Sequence, residues 1–230
     1  MSQRVLGQVT TVLRGRAVPY SRPGSRSAIA KQAVQGAVAV DGNSVAGDEQ
    51  GDTRLHGGPD KAVHHYALDH YPAWRDALGA LPALARPGAF GENISSTGIV
   101  ESGLCWGDQV RMGSVLLEVS QTRQPCWKLN TRFGVPDMAL RVQRTGRTGW
   151  YYRVIEPGTV QAGDTITLVS RPHPEWTLAR VIEVLYHRPL DVALLTGLAA
   201  LRLPPSWQRL VAHRLEHGVQ EDWSARTDGS

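Results

Sequence analysis

A chain of 230 residues is long enough to bury a full core, and 41% hydrophobic against 20% charged residues is an ordinary globular balance. No apolar run approaches the roughly 20 residues needed to span a bilayer, and no apolar segment follows the arginine near the start, so a cytoplasmic protein is expected. Two cysteines cannot form a disulfide framework or supply the four thiolates of a conventional iron–sulfur cluster, and the net charge of +4 comes from scattered basic residues rather than a nucleic-acid-type block.

In chain order, β-branched and aromatic runs predict strands over 5–13, 37–40, 63–66, 115–119, 150–155 and 165–169. Turn signals such as Asp41-Gly42-Asn43, Pro87-Gly88 and Pro157-Gly158 separate them, and 69–78 and 135–143 read as helices inserted between strands. After Pro172 and Pro174 the period changes. Leu178, Val181, Ile182 and Leu185 recur at helical spacing, as do Val192, Leu195 and Leu198, then Trp207, Leu210, Val211, Arg214 and Leu215. Pro189 and Pro204-Pro205 punctuate three short helices. The expected organisation is a β-rich domain over 1–170, a three-helix domain over 171–220 and a polar, fraying tail over 221–230.

Nucleotide cradles and the hydrolase elbow have no support, since G-x-G-x-x-G, G-x-x-x-x-G-K-[ST] and G-x-S-x-G are all missing. His213-Arg-Leu-Glu216-His217 matches the H-x-x-E-H pattern of inverted zinc proteases. A catalytic zinc needs a third protein ligand, and only a short polar tail follows, so the match is read as a solvated helix end.

Two segments carry chemistry. In Arg54-Leu-His56-Gly57-Gly58-Pro-Asp60-Lys61, paired glycines let the backbone approach an anion while Arg54, His56 and Lys61 supply positive charge. A plain hairpin loop with charged flanks explains the same residues equally well. In Gln121-Thr-Arg123-Gln-Pro-Cys126-Trp-Lys128-Leu, a cysteine lies between two cations that favour its thiolate, the form that attacks or binds soft metals. A lone cysteine is more often buried and inert. That reading is given to Cys105, while at Cys126 the charged flanks bring the two readings close. Lysine occurs only at positions 31, 61 and 128, so two of the three fall in these segments.

Gly47-Asp48-Glu-Gln, His56-Gly-Gly-Pro-Asp-Lys-Ala, Gly91-Glu-Asn93, Gln121-Thr-Arg-Gln-Pro-Cys126-Trp-Lys-Leu and Gly149-Trp-Tyr-Tyr-Arg-Val-Ile-Glu-Pro-Gly follow one another in the order and spacing of a known family. Together with the helical appendage they resemble the YiiM-like branch of the MOSC family, over about residues 5–220. Thr122 departs from the proline common there, leaving Arg123 and Cys126 in place.

The resemblance implies a mainly β fold, a MOSC β-barrel with inserted helices followed by a small three-helix domain. It implies a molybdenum–pterin cofactor with Cys126 as metal ligand, and a detoxifying reductase of N-hydroxylated compounds such as N-hydroxylated purines. Cys126, Arg123 and His56 are then the catalytic candidates. Arg54, His56 and Lys61 would grip the pterin phosphate on the Gly57-Gly58 turn, with Asp60 and Lys128 beside it, and Asp48, His64, His65 and Asn93 would orient pterin or substrate. With no dinucleotide, iron–sulfur or flavin motif in the chain, electrons are expected from a separate flavoprotein or ferredoxin-type reductase. Two rivals stay open: a sulfur carrier using a Cys126 persulfide, as MOSC proteins are linked to cofactor sulfuration, and a basic nucleic-acid module.

Overall fold

A computed structural model describes residues 4–42, 44–51 and 57–229. Among them, seven strands close on themselves as a barrel: β1 (Arg4–Arg14), β6 (Val63–Ala67), β7 (Ile94–Thr97), β8 (Gln109–Met112), β9 (Val115–Thr122), β10 (Trp150–Glu156) and β12 (Thr165–Ser170). Around the ring the order is β1-β7-β6-β10-β9-β8-β12, and β12 pairs with β1 to shut it. The pairing of β6 with β7 is parallel and every other pairing in the ring antiparallel. A parallel pair needs a crossover, and here it contains α1 (Tyr71–Leu78). Five short strands lie outside the ring: β2 (Val18–Pro19), β3 (Arg26–Ser27), β4 (Gln32–Ala33), β5 (Val38–Val40) and β11 (Gly158–Val160), the last two pairing with each other.

Inward residues of the strands, among them Val9, Val12, Val63, Ile94, Val110, Leu117, Val119, Trp150 and Ile166, fill the barrel. A second cluster, Tyr66, Tyr71, Trp74, Phe90, Leu129, Phe133 and Val142, lies where α1 meets α2 (Lys128–Phe133) and α3 (Met138–Thr145). Phe90 stacks on Tyr66 at 3.8 Å between ring centroids. This cluster anchors both segments that border the site.

Past β12 the chain forms α4 (Leu178–Ile182), which runs into a wider turn over Glu183–His187, then α5 (Val192–Ala199) and α6 (Pro205–His217). Thr177 and Asp191 cap α4 and α5 by accepting the amide hydrogens of Arg180 and Leu194. Leu178, Val181, Leu195, Leu198, Trp207 and Val211 belong to the same hydrophobic cluster as the barrel interior, with Trp106 against Trp207 at 5.4 Å. The helices therefore extend the barrel core rather than hang from it.

The tail differs from the frayed end expected of its composition. It makes a last turn, α7 (Ser224–Thr227), in which Thr227 is buried. Buried Arg214 of α6 grips Glu221 through two hydrogen bonds of 2.9 and 2.8 Å, and Trp223 donates to the same carboxylate at 2.6 Å. Charged and indole donors satisfied in this way hold a polar segment as firmly as apolar packing would.

Candidate active site

Cys126 stands in the loop that carries the chain from β9 into α2, 7% exposed. It borders a cleft of about 100 Å³ lined by residues from six separated stretches, among them Lys31, Asp48, Lys61, His64, Asn93, Arg123, Lys128 and Tyr151. All three lysines of the chain are on that wall.

The cleft is braced by one buried polar network. Asp48 accepts from both Lys31 Nζ and, at 2.7 and 2.8 Å, from the Gly15 amide and Asn93 Nδ2. Asn93 also donates to the Leu13 carbonyl at 3.2 Å, and its Oδ1 accepts the His64 amide at 3.1 Å. Glu92, beside it, accepts from the Gly88 and Phe90 amides and from the Ser95 hydroxyl, shaping the loop that precedes β7. Burial pulls the Lys31 ammonium below the usual lysine range although Asp48 and Glu92 oppose it. Burial likewise lowers Lys61, against the charge of Asp60 and the Cys126 side chain. Lys128 donates to the Arg26 carbonyl at 2.8 Å.

Two buried polar atoms at the cleft have no hydrogen-bond partner among the described residues: Arg123 Nη1 and His64 Nε2. Arg123 is 6% exposed, and its charge opposes the rise that burial imposes on the Tyr151 hydroxyl. Burial, then the Arg123 charge, pushes His64 well below the ordinary histidine range, and the nearby Gly91 backbone opposes them only in part. His64 is therefore held neutral, with its Nε2 unpartnered among the described residues.

Cys105 is 1% exposed, with its thiol against the Pro174 carbonyl, and burial raises its pKa. No group of three or more His, Cys, Asp or Glu side chains that could hold a metal occurs among the described residues, the His213–His217 face included.

Residues 52–167 match the MOSC domain family, and residues 176–218 match the YiiM-like three-helix domain. The chain is 40% identical to protein YiiM of Escherichia coli K12 over 93% of its own length and 94% of that protein. This chain belongs to the MOSC family, in its YiiM-like branch. The crystal structure of E. coli YiiM superposes on it with a TM-score of 0.79 at 33% identity, covering 99% of each chain. A Gibberella moniliformis protein named reductase is 41% identical over 82% of this chain, which spans 34% of that longer protein.

Within this MOSC barrel the candidates from sequence separate into groups. Cys126, Arg123, Lys61, Lys128, Asp48, Asn93 and His64 come together at the cleft. Gly58 sits at φ 98°, a conformation suited to glycine, and begins the turn that delivers Lys61. Arg54 and His56 lie outside the described residues, and Gly57 adjoins them.

Two candidates belong elsewhere. His65 faces the barrel interior, its Nδ1 against the Tyr152 hydroxyl at 3.0 Å and its Nε2 against Ser96 at 2.6 Å, and burial lowers its pKa to about 3. It is a satisfied core histidine, because alternate residues of a strand point to opposite faces and His64 takes the cleft side. The Asp60 carboxylate is held by Arg153 of β10 at 2.7–2.8 Å, and its carbonyl accepts from Ser120 and Gln121, so Asp60 pins the Gly-Gly turn to the barrel wall. Sequence reasoning missed Lys31, Glu49 and Tyr151. The rarity of lysine was the available signal for the first.

Proposed function

We propose that the chain is a molybdenum-cofactor-dependent reductase of N-hydroxylated compounds. The observation that carries this reading is a buried cysteine set beside a cleft walled by four cationic side chains, Lys31, Lys61, Arg123 and Lys128. The residues present fit a pterin phosphate and a thiolate-bound metal. Arg123 Nη1 is buried without a partner among the described residues, as expected of a donor reserved for an anion. The thiolate of Cys126 is the kind of soft donor that molybdenum accepts. The fungal relative named reductase supports the same class of reaction.

In this reading Cys126 would ligate the metal. Arg123, Lys61 and Lys128 would bind the anionic part of the cofactor, with Arg54 and His56 of the adjoining loop. His64 would accept a hydrogen bond from the pterin or the substrate, and Asp48, Asn93 and Lys31 keep the cleft in shape. When bound, the cofactor would supply a two-electron centre able to take an oxygen atom. Overall, two electrons and two protons convert N–OH to N–H and release water. The electrons would come from a separate flavoprotein or ferredoxin-type reductase through a small, transient contact below roughly 1,200 Å².

The test is metal and pterin analysis of the protein purified from a molybdenum-competent host, followed by assay on an N-hydroxylated purine. About one molybdenum and one pterin per chain, with conversion of the purine to its amine, is the expected result. A fully folded preparation from that host with neither molybdenum nor pterin would overturn the proposal.

A further inference from the structure

A second cavity, of about 300 Å³, also borders Cys126. Lys61, Cys126 and Tyr151 belong to both cavities. The second is otherwise lined by Gln121, Gln124 and Trp127 of the Cys126 segment and by Ala225 and Arg226 of α7. Those last two residues lie beyond the three-helix match, which ends at 218.

The tail is fastened to the Cys126 segment at several points. The Trp127 amide donates to the Arg226 carbonyl at 2.8 Å, and Asn130 Nδ2 donates to the Thr227 carbonyl at 2.8 Å. The Arg226 guanidinium donates to the Pro125 carbonyl and, at 2.9 Å, to Gln143 Oε1. Arg22 donates to the Asp228 and Gly229 carbonyls while its guanidinium lies 4.2 Å from the Trp127 ring centre. At its near end the tail is clamped to α6 by Arg214 and Glu221, with Trp223 edge-on to Tyr186 at 5.3 Å.

We infer that the C-terminal segment 221–229 is a fixed strap forming the outer wall of the substrate chamber beside Cys126, and that it sets how large a group can reach that cysteine. This rests on the reductase reading for its substrate, not for its geometry. The chamber volume is at the small end of ligand pockets, and two aromatic side chains with two carboxamides suit a flat heterocycle carrying polar edges. The three-helix unit thereby gains a role: through Arg214 it positions the strap. Ala225 is exposed on one side and lines the chamber on the other, so a larger side chain there would narrow the chamber without disturbing a core.

The experiment compares the full chain with its Ala225→Phe and Arg226→Ala variants in two readouts. In the first, Cys126 of cofactor-free protein is alkylated with iodoacetamide and with N-phenylmaleimide, and the modified peptide is quantified by mass spectrometry. Ala225→Phe should slow the aromatic reagent at least fivefold relative to iodoacetamide, and Arg226→Ala should speed it by a similar factor. In the second, kcat/KM is measured for an N-hydroxylated purine and for hydroxylamine, and Ala225→Phe should lower the purine-to-hydroxylamine ratio about tenfold. Unchanged reagent selectivity in Ala225→Phe would overturn the strap, whatever Arg226→Ala does. If wild-type protein carrying its cofactor reduces neither compound, the reductase reading fails, while the alkylation comparison still decides the strap.

Discussion

Replacing Asp48 by Asn should destabilise the chain more than any other single change at the cleft. The Asp48 and Lys31 side chains are only 4% and 7% exposed, and the carboxylate takes hydrogen bonds from Lys31, the Gly15 amide and Asn93. An asparagine carboxamide keeps one acceptor oxygen but points an NH₂ at donors, and it strands the Lys31 ammonium. Removing one partner of a buried ion pair costs about 3–5 kcal/mol. For a chain of this size that is a fall in Tm of roughly 6–20 °C. Lys31→Met should be damaging for the mirror-image reason, leaving a buried carboxylate with only neutral donors. The double variant Lys31→Met/Asp48→Asn should recover at least about 2 kcal/mol of the summed loss, because neither charge is then left unpaired. The assay is denaturant unfolding of cofactor-free protein, since bound cofactor would stabilise each variant differently. Single variants each costing under about 1 kcal/mol, or strictly additive losses, would refute the reasoning.

Other outcomes follow from the same geometry. Cys126→Ser should lose molybdenum and N-hydroxy reduction yet stay folded, while Cys105→Ser keeps most activity; similar activities in the two would undo the ligand assignment. Gly58→Val should lower cofactor content, because a branched residue at φ 98° is strained by about 1–3 kcal/mol although a Cβ there meets no neighbour within 4 Å; full occupancy would reduce the turn to a hairpin. His65, lowered from 6.5 to about 3 in the fold, contributes stability that is complete above pH 6.5 and lost as the pH falls toward 3, at up to about 1.4 kcal/mol per pH unit. His64, also lowered, acts in the same direction, so urea midpoints measured from pH 7 to 4 should fall less steeply in His65→Gln than in wild type; parallel curves would contradict this. Loaded protein should turn over an N-hydroxylated purine with reduced viologen but not with NADH or NADPH alone, and sustained nicotinamide oxidation by the pure chain would remove the need for a separate reductase.

The strands that sequence made visible are those whose side chains are themselves apolar. Periodicity found 63–66 and 150–155 because Val63, Trp150 and Tyr152 pack into the barrel while Tyr66 is buried in the second cluster. It passed over Ile94–Thr97, an Ile-Ser-Ser-Thr strand whose buried serines are satisfied by His65 and Glu92 rather than by hydrophobic contact. The helix Lys128–Phe133 was not anticipated, although Lys128, Leu129 and Phe133 are buried on it. Adjacent His64 and His65 looked alike in sequence and differ only by strand alternation, which needs the register of β6 against β10 to resolve. Composition hid the role of the tail completely, since its anchors are arginine and indole donors to carbonyl and carboxylate oxygens, with no apolar period to detect.

The lysines close the chemical argument. A chain that places arginine at nearly every cationic position has put its three lysines, 31, 61 and 128, on one cleft beside Arg123. A guanidinium is wide, planar and always charged, whereas an ammonium is a compact charge that donates in three directions and yields its proton when buried. Burial lowers both Lys31 and Lys61, while Asp48 and Glu92 oppose the shift at the first and Asp60 and Cys126 at the second. Only Asp48 and Glu49 among its described lining residues are acidic, and Asp48 is already committed to Lys31. On the proposed reading, a phosphate-bearing ligand next to Cys126 would meet Lys61, Arg123 and Lys128 together, and its charge would offset theirs.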